Sequence, residues 1–368
     1  MSDLGQYVPA HIRKLAGNNQ SKPLKQSSSK DKPLALNLNE NPFGPSPLAL
    51  KAIEAVLSEI HRYPEIQASV LHEEIAAFHG VEPEQVLVTA GATELLGIIA
   101  RTLLAPGLNA LTSARSFIVY KLATQVTEGR LIEVATCENG YDLGAIAKAI
   151  DANTRIVFIA NPNNPTGTLV TADEVDDFLE KIPDHVLVVL DEAYGDFAER
   201  FAQERSVVFS RALDYIRQDR NVILLKTFSK AHGLAGLRVG YGVGPAHLIS
   251  LFAPMRTIFS ISSVAQAAAT AALRDQLHIQ IAVINNTRQA EVLSSGLTDA
   301  GFPVARTWAN FFYCELGRDA AAFAERLQSE GVIVQPLGLW GAPTAIRISI
   351  GTPVQNQRFL KAFKTVLQ

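Results

Sequence analysis

The sequence predicts an α/β fold with a mostly parallel sheet flanked by helices. Segments with helical periodicity, such as 171–181 and 211–217, alternate with short apolar segments along the middle of the chain. Strands that are apolar on both faces and alternate with helices are typical of a parallel sheet covered on both sides. Hydrophobic residues make up 48% of the 368 residues, which is enough to fill a large core. The predicted strands lie at 86–89, 155–160, 186–190, 221–226 and 238–243.

Length and composition limit the class of protein. At about 150 residues per domain, a chain of this length corresponds to two or three domains. Charged residues make up only 19%, and together with the high apolar content this excludes a disordered or fibrous chain. The net charge of −3 provides no basic surplus for binding a nucleic acid or an anionic membrane surface. We therefore expect small-molecule partners, with no nucleic acid and no membrane.

Cysteine usage and the N-terminus indicate a compartment. Cys137 and Cys314 lie far apart and form neither a CxxC pair nor a metal-binding spacing. A disulfide framework and a metal site are therefore not expected. Residues 1–20 contain no apolar segment typical of a signal peptide, and no apolar run approaches the ~20 residues that span a bilayer. These features predict a cytoplasmic enzyme.

The two ends of the chain differ from its middle. A polar, Ser/Lys-rich stretch at 20–32 shows no periodicity, and residues 1–34 are predicted to form an N-terminal arm or linker. A proline-punctuated segment at 39–47 then leads into a helical pattern at 48–59. Beyond residue 256, helices are predicted at 262–297, 320–330 and 354–367, with strands at 311–316 and 346–350. We expect a large domain at 60–260 and a smaller α+β domain formed by 35–59 and 261–368.

Ligands of open α/β sheets bind beyond the carboxyl ends of the strands, so the residues that follow each strand are candidate ligands. Gly91, Ala92 and Thr93 follow the first predicted strand and open a helix. Backbone N–H groups at such a helix start can bind a phosphate, although an ordinary turn fits the same residues. Asn164 lies in an amide-rich loop after the second strand, and two prolines make that loop rigid.

Charged side chains follow the next two strands. Asp191 and Tyr194 come after the third strand, and Lys230 and Arg238 come after the fourth. A buried carboxylate such as Asp191 is costly unless it meets a cation, although a helix cap would also explain this aspartate. Lysines are seldom buried, although Lys230 taken alone could be an ordinary surface lysine. Together the strand ends supply a carboxylate, hydroxyls, a lysine and an arginine. This set suits pyridoxal phosphate, whose aldehyde bonds a lysine and whose pyridine nitrogen pairs with an aspartate.

Six motifs then resemble those of one enzyme family, in the same order along the chain. They are Asn-Glu-Asn-Pro at 39–42, Arg-Tyr-Pro at 62–64, Asn-Pro-Asn-Asn-Pro-Thr-Gly at 161–167, Asp-Glu-Ala-Tyr at 191–194, Ser-Lys-Ala-His-Gly-Leu-Ala-Gly-Leu-Arg at 229–238 and Ile-Arg-Ile-Ser-Ile-Gly at 346–351. From residue 35 to the C-terminus the sequence resembles the fold-type I pyridoxal-phosphate-dependent aminotransferases, and among them the histidinol-phosphate aminotransferases. The resemblance implies the PLP-dependent transferase fold of type I.

The resemblance also implies roles for individual residues. Lys230 would hold the cofactor as a Schiff base and then move a proton between Cα and C4′. Asp191 would pair with the pyridinium nitrogen, while Asn164 and Tyr194 would hydrogen-bond the phenolic oxygen. Catalysis is thus assigned to Lys230, Asp191 and Tyr194, and Phe117 would stack on the ring. The expected phosphate ligands are Gly91, Ala92, Thr93, Thr227, Ser229 and Arg238.

The resemblance further implies a substrate site and a partner chain. Arg347 would bind the anionic group of the substrate, with Asn164 and Tyr7 as further substrate contacts. Tyr63 would reach the cofactor phosphate of a neighbouring subunit, so the expected assembly is a homodimer with shared sites. The expected small molecules are an amino donor and a 2-oxo acid, and no metal is required.

Three residues differ from those usual in the family. Phe117 stands where Tyr is common, and His232 stands where Phe is usual. Gln335 stands where an arginine often helps to bind the substrate phosphate. A neutral amide lacks a charge-assisted contact worth ~1.5–3 kcal/mol. The departure at Gln335 therefore bears directly on the identity of the substrate.

The leading reaction is transfer of the amino group of histidinol phosphate to 2-oxoglutarate, in histidine biosynthesis. An aminotransferase for an aromatic or other bulky amino acid is one alternative. A PLP-dependent decarboxylase of a phosphorylated amino acid is another. A related protein without catalysis is disfavoured because every cofactor position holds a competent residue.

Overall fold

A seven-stranded sheet lies at the centre of the computed structural model, which describes residues 4–18 and 32–368. The helices are α1 (Ala10–Asn18), α2 (Pro47–Val56), α3 (Ser69–His79), α4 (Ala92–Leu103), α5 (Ile118–Gln125), α6 (Leu143–Ala149), α7 (Ala172–Leu179), α8 (Gly195–Arg205), α9 (Ala212–Arg217), α10 (Ala246–Phe252), α11 (Ser263–Arg274), α12 (Gln276–Asp299), α13 (Ala320–Ser329) and α14 (Pro353–Leu367). The strands are β1 (Leu34–Ala35), β2 (Val86–Thr89), β3 (Asn109–Ser113), β4 (Arg130–Val134), β5 (Thr154–Ala160), β6 (Leu187–Asp191), β7 (Val222–Thr227), β8 (Gly240–Val243), β9 (Phe311–Glu315), β10 (Val332–Ile333), β11 (Gln335–Leu337) and β12 (Ala342–Ser349).

The sheet has the strand order β2-β8-β7-β6-β5-β3-β4. Its pairs are parallel except those of β8, which is antiparallel to both β2 and β7. Because β8 is reversed relative to both neighbours, β2 points in the same direction as β5, β6 and β7. The carboxyl ends of these four strands therefore lie along one edge of the sheet. The predicted mostly parallel α/β fold is confirmed, with one reversed strand.

The central strands are buried on both faces. The residues of β6 are buried throughout, and in β5 and β7 only Arg155 and Lys226 are half-buried. The large apolar core around them also includes Ala49 of α2 and the apolar face of α11. A parallel sheet covered by helices on both faces needs such continuous apolar strands, because neither face is in contact with water.

A second core belongs to a smaller sheet of order β11-β12-β9, together with α13, α14 and the parallel pair of β1 with β10. We propose two domains on this basis, with both boundaries of the predicted large domain moved outward. The predicted small domain included α2 and α11, whose buried residues lie in the large core. We therefore assign both helices to the large domain.

Most predicted elements lie within a few residues of the observed ones, and two differences have physical causes. The helical stretch expected at 262–297 is two helices, because α11 ends at Arg274 and the Asp275 side chain accepts from the backbone N–H of His278 at the start of α12. The strands β3 and β4 were not predicted. Their segments, Asn-Ala-Leu-Thr-Ser and Arg-Leu-Ile-Glu-Val, lack a continuous apolar run.

The N-terminal part is only partly described. Within the predicted arm, a short helix α1 and the strand β1 are present, whereas residues 19–31, most of the Ser/Lys-rich stretch, lie outside the described residues. Within residues 4–18 and 32–368, no helix combines the length and apolarity needed to cross a membrane. The same residues contain no group of three metal-ligating side chains.

Candidate active site

A cavity of about 530 Å³ lies at the carboxyl ends of β2, β5, β6 and β7 and extends to β12 of the small sheet. A larger cavity of about 760 Å³ is lined by Lys226, whereas the adjacent Thr227 lines the smaller cavity. Successive side chains of a strand point to opposite faces of the sheet, so the larger cavity lies on the other face. We place the site in the smaller cavity because of its chemistry. The predicted site residues that line it are Ala92, Thr93, Phe117, Asn164, Asp191, Tyr194, Thr227, Ser229, Lys230, Arg238 and Arg347.

Asp191 ends β6 and places a carboxylate deep in this cavity, with 5% of the residue exposed. The Tyr120 hydroxyl donates to Oδ2 at 2.8 Å, and the backbone N–H of Ala193 donates to Oδ1 at 3.2 Å. Burial raises the pKa of Asp191 to about 6, while these donors and the charge of Lys230 act in the opposite direction. A cationic ring nitrogen beside this carboxylate would favour its charged form.

Tyr120 was missed by the sequence reasoning. It lies on α5, is fully buried, and stacks on Phe158 with the ring centroids 4.7 Å apart. Phe117, at the start of the same helix, packs edge-to-face on Tyr120. Burial, followed by the nearby Asp191 charge, raises the pKa of Tyr120 well above its usual value, so its hydroxyl remains a donor to the carboxylate. No local motif marks this residue, because its partner is 71 positions away.

Lys230 and Tyr194 lie near each other in the cavity. The Lys230 Nζ donates to the carbonyl of Leu38 at 2.9 Å and lies 5.5 Å from the centroid of the Tyr194 ring. The Tyr194 hydroxyl accepts from Nδ2 of Asn164 at 3.3 Å and from Nδ2 of Asn39 at 2.9 Å. Asn39 had been assigned no role in the site.

Hydroxyl and guanidinium groups form a cradle where β7 ends and α4 begins. The Thr227 hydroxyl donates to Oγ of Ser229 at 3.0 Å, and Nη1 of Arg238 donates to the same Oγ at 3.2 Å. Gly91 precedes α4, whose first N–H groups have no acceptor within the helix. A cation, hydroxyls and a helix N-terminus together suit a phosphate group.

Gly91 is the residue that lets Arg238 approach the start of α4. Its φ is 79°, and a Cβ at this position would lie 2.5 Å from Nη2 of Arg238. We expect Gly91→Ala to displace this guanidinium and to weaken cofactor binding at least about tenfold, as the loss of one charge-assisted contact would. Gly97→Ala, in the same helix, meets only the tip of Arg101 at 3.7 Å and is the control. A fluorescence titration with pyridoxal phosphate measures both, and equal affinities would contradict the expectation.

Arg347 brings a buried guanidinium to the cavity from β12, with 5% of the residue exposed. Its Nη1 donates to Oδ1 of Asn164 and its Nη2 donates to the carbonyl of Asn37, both at 2.6 Å. Its Nε is buried without a partner, and no carboxylate pairs with it in the described part of the chain. Burial lowers the pKa of Arg347. An unpaired buried cation is costly, so the arrangement is suited to an anionic ligand.

Gln335 lies beside Arg347, because the two residues are register partners on β11 and β12. Its Nε2 donates to the carbonyl of Pro336 at 3.0 Å, and its side chain lines the cavity. Trp340 lies on the other side, 5.9 Å from the guanidinium carbon of Arg347 to the ring centroid. The Arg347 guanidinium therefore lies near the neutral amide of Gln335 and the ring of Trp340, and the ring of Phe311 lies 5.4 Å from its guanidinium carbon.

Three predicted residues do not line this cavity, and the first of them, Gly91, immediately precedes the lining residue Ala92. Tyr63 is 82% exposed and stacks on Phe259, with the ring centroids 4.6 Å apart. Tyr7 is 74% exposed, in a short 3₁₀ turn before α1. His232, which departs from the family pattern, is buried against Phe228, and neither ring nitrogen has a partner in the described part of the chain.

The remaining residues fit pyridoxal phosphate as a group. Asp191 lies where a carboxylate can meet a ring nitrogen, Lys230 offers an amine, and the cradle at Arg238 and Gly91 offers a phosphate site that a Cβ would fill. The cavity volume of about 530 Å³ is within the usual range for a cofactor site.

Comparisons with known proteins agree with this chemistry. The family model described as aminotransferase class I and II matches residues 31–363. A histidinol-phosphate aminotransferase 2 of Pseudomonas fluorescens (strain Pf0-1) is 43% identical over 329 residues, covering 89% of this chain and 87% of the relative. A histidinol-phosphate aminotransferase of Akkermansia muciniphila is 37% identical over 370 residues, covering 98% and 99%. The crystal structure of histidinol-phosphate aminotransferase from Sinorhizobium meliloti in complex with pyridoxal-5′-phosphate superposes with a TM-score of 0.85 at 29% identity, covering 91% of each chain.

Proposed function

This chain belongs to the aminotransferase class I and II family and is a pyridoxal-phosphate-dependent aminotransferase, and from that premise we propose that it moves the amino group of histidinol phosphate to a 2-oxo acid, with 2-oxoglutarate as the leading acceptor. The observation that supports the anionic substrate is the buried Arg347 guanidinium, which has no carboxylate partner among residues 4–18 and 32–368. The names of the relatives support the choice of donor, because proteins 37–43% identical over most of the chain act on histidinol phosphate. Such an enzyme would serve histidine biosynthesis.

The bound cofactor supplies an electron-poor ring that stabilises negative charge developing at the substrate Cα. The proposed work of the chain is to bind and orient. Lys230 would hold the cofactor aldehyde between turnovers and then carry the Cα proton, leaving its contact with the Leu38 carbonyl. Asp191 would keep the ring nitrogen protonated, and Asn164 and Tyr194 would bind the phenolic oxygen. Phe117 would pack on the ring.

The phosphate of the cofactor would be held by the cradle at the start of α4. Its ligands would be Gly91, Ala92, Thr93, Thr227, Ser229 and Arg238. Arg347 would bind the anionic group of the substrate on the opposite side of the cavity, and Asn164, which contacts Arg347 at 2.6 Å, would lie between substrate and cofactor. Tyr7 is also proposed as a substrate contact. Its ring is exposed in the N-terminal turn and is therefore accessible to a ligand.

A second candidate function follows from the neighbours of Arg347. Gln335 is neutral, and the rings of Trp340 and Phe311 lie 5.9 and 5.4 Å from the guanidinium carbon. A subsite with one cation and two aromatic rings also suits an aromatic or other bulky amino acid, because one guanidinium can bind its single carboxylate through two hydrogen bonds. A decarboxylase of a phosphorylated amino acid would use the same cofactor residues and differ in the bond that is broken.

We also propose a homodimer in which Tyr63 reaches the neighbouring site. The support is its position, since it is exposed and stacked on Phe259 outside the cavity of its own chain. Leu57 and Ile60, shortly before Tyr63 in the sequence, and Ile258, which precedes Phe259, are also exposed apolar residues. We propose a cytoplasmic location because Cys137 and Cys314 are both unpaired.

A screen of amino donors in the half-reaction tests the proposed function. The cofactor-loaded enzyme is mixed with one donor, and conversion of the bound cofactor to its amine form is followed by absorbance. We expect conversion with histidinol phosphate at a much lower donor concentration than with phenylalanine or tyrosine. Rapid conversion with the aromatic donors and none with histidinol phosphate would establish the second candidate. Release of carbon dioxide without an oxo-acid acceptor would establish the decarboxylase.

Arg347→Lys is expected to raise the KM for the donor ~10- to 100-fold while the absorbance of the bound cofactor stays unchanged. A lysine keeps the charge but loses the two-pronged contact with an anion, and the contacts to Asn164 and Asn37 are also lost. Steady-state kinetics with varied donor measures the effect. Arg326→Lys, at the exposed end of α13, is the control. An unchanged KM would remove Arg347 from the substrate site.

A further inference from the structure

Asn39 lines the cavity from the segment that joins β1 to α2. Only 1% of the residue is exposed, and its backbone has a φ of 56°. Asparagine and glycine adopt this left-handed conformation more readily than other residues. The position therefore combines a restricted backbone with a buried amide, and a buried amide requires hydrogen-bond partners.

Each polar group of Asn39 has such a partner. Its backbone N–H donates to Oγ of Ser349 at 2.9 Å, and the Ser349 hydroxyl donates back to Oδ1 at 3.1 Å. Its carbonyl accepts from Nδ2 of Asn310 at 3.0 Å. Its own Nδ2 donates to the Tyr194 hydroxyl at 2.9 Å. Asn39 thus connects β12, which carries both Ser349 and Arg347, with a residue of the cofactor site.

Ser349 determines which end of the Asn39 amide faces Tyr194. A backbone N–H can only donate, so the Ser349 oxygen accepts from the Asn39 N–H and keeps its own proton for donation. That proton goes to Oδ1. With Oδ1 occupied by Ser349, the NH₂ group of Asn39 is the end that meets the Tyr194 oxygen.

Tyr194 consequently receives two hydrogen bonds at its oxygen, one from Asn39 and one from Asn164. A hydroxyl oxygen that accepts from two N–H groups must direct its own proton away from both. Within residues 4–18 and 32–368, no group accepts this proton. Tyr194 lines the cavity, and the proton is therefore directed to whatever occupies it.

We propose that Asn39 is a positioning residue that, by donating to the Tyr194 oxygen, directs the Tyr194 proton to the phenolic oxygen of the bound cofactor. The inference rests on the proposed function, since the acceptor belongs to pyridoxal phosphate. Ser349, which hydrogen-bonds Asn39, lies on β12 two residues after Arg347. The orientation of the Tyr194 hydroxyl is therefore coupled to the strand that would bind the substrate anion.

The test measures the pH midpoint of the absorbance change of the bound cofactor, called here the spectral midpoint. Donation to the phenolic oxygen favours its charged form and lowers this midpoint. Asn39→Gly preserves the left-handed backbone and removes the amide, and we expect it to raise the midpoint by ~0.5–1 unit, the equivalent of one oriented hydrogen bond. Asn39→Asp preserves the acceptor for Ser349 but presents an acceptor to Tyr194, so it should raise the midpoint at least as much.

A double-variant cycle shows whether Asn39 acts through Tyr194. In Tyr194→Phe, which lacks the hydroxyl, Asn39→Gly is expected to cause no further shift. Asn139→Gly is the matched control, because Asn139 also has a left-handed backbone, with φ of 63°, and bonds Arg115 away from the cavity. It should leave the midpoint unchanged.

Three results would overturn the inference. They are an unmoved midpoint in Asn39→Gly, a wild-type midpoint in Asn39→Asp, and an equal shift with and without the Tyr194 hydroxyl. Thermal unfolding of the cofactor-free variants shows that each chain is folded before it is titrated. If the unsubstituted chain takes up no pyridoxal phosphate, the proposed function itself fails, which is a different outcome from a loaded protein whose midpoint does not move.

Discussion

Lys230→Ala is expected to reduce turnover by at least about a thousandfold and to remove the absorbance that depends on a covalent link to the cofactor. Lys230 is the amine that lines the cavity from the loop after β7. In the proposed mechanism the variant loses both the covalent attachment of the cofactor and the carrier of the Cα proton. The fold should tolerate the change, because the side chain is half-buried and, among the described residues, it hydrogen-bonds only the Leu38 carbonyl.

Two further variants make this result specific. Lys230→Arg keeps a positive charge near Tyr194 but cannot attach the aldehyde, so it should be as inactive as the alanine variant. Lys121→Ala removes an exposed lysine that pairs with Glu133 at 3.0 Å, and it should retain full turnover. Steady-state rates and absorbance spectra of the purified proteins provide both measurements. Turnover within tenfold of the original in Lys230→Ala would contradict the role given to this residue.

The strand ends of the large sheet could be predicted because their signals are local. Segments 156–160 and 186–190 are apolar throughout, and each is followed at once by a polar residue. Period and composition determine where such strands end, and parallel packing then brings their ends to one edge. Asp191, Lys230 and Asn164 were located in this way without reference to contacts. The resemblance then gave each residue a role.

The residues that orient these side chains could not be predicted, because their signals are distributed along the chain. Tyr120 donates to a carboxylate 71 positions away, and Asn39 donates to a hydroxyl 155 positions away. Neither belongs to a spacing that identifies its partner. Such contacts are created by tertiary packing, so a pattern within a short window of sequence contains no information on them. The same limit explains why α2 and α11 were both predicted in the small domain, since their buried residues join a large core formed mostly by segments distant in sequence.

Asp191→Asn is expected to lower turnover by about a hundredfold or more, while the cofactor remains partly bound. The side chain keeps its size and its place beside Tyr120, but it can no longer supply the charge that we propose keeps the ring nitrogen protonated. The phosphate cradle at Arg238 and Ser229 is unaffected, so binding should weaken less than turnover falls. Equilibrium titration with pyridoxal phosphate and steady-state kinetics separate the two effects. Near-normal turnover would remove Asp191 from the mechanism.

The same variant should stabilise the cofactor-free protein, and the effect has a defined pH dependence. Burial raises the pKa of Asp191 from 3.8 to about 6, so the folded chain binds this proton more tightly than the unfolded chain. Below about pH 4 the Asp191 carboxyl is protonated in both the folded and the unfolded chain, so its ionisation does not lower the free energy of unfolding. The cost grows as the pH rises through 4–6, and above that range it reaches roughly 2–3 kcal/mol. Asn cannot ionise, so Asp191→Asn should unfold at a higher denaturant concentration than the original at pH 8, with the difference shrinking toward pH 5. We propose that the charge of Asp191 is retained despite this cost because the bound cofactor uses it. Equal stabilities of the two proteins at pH 8 would contradict the cost of burying the ionised carboxylate.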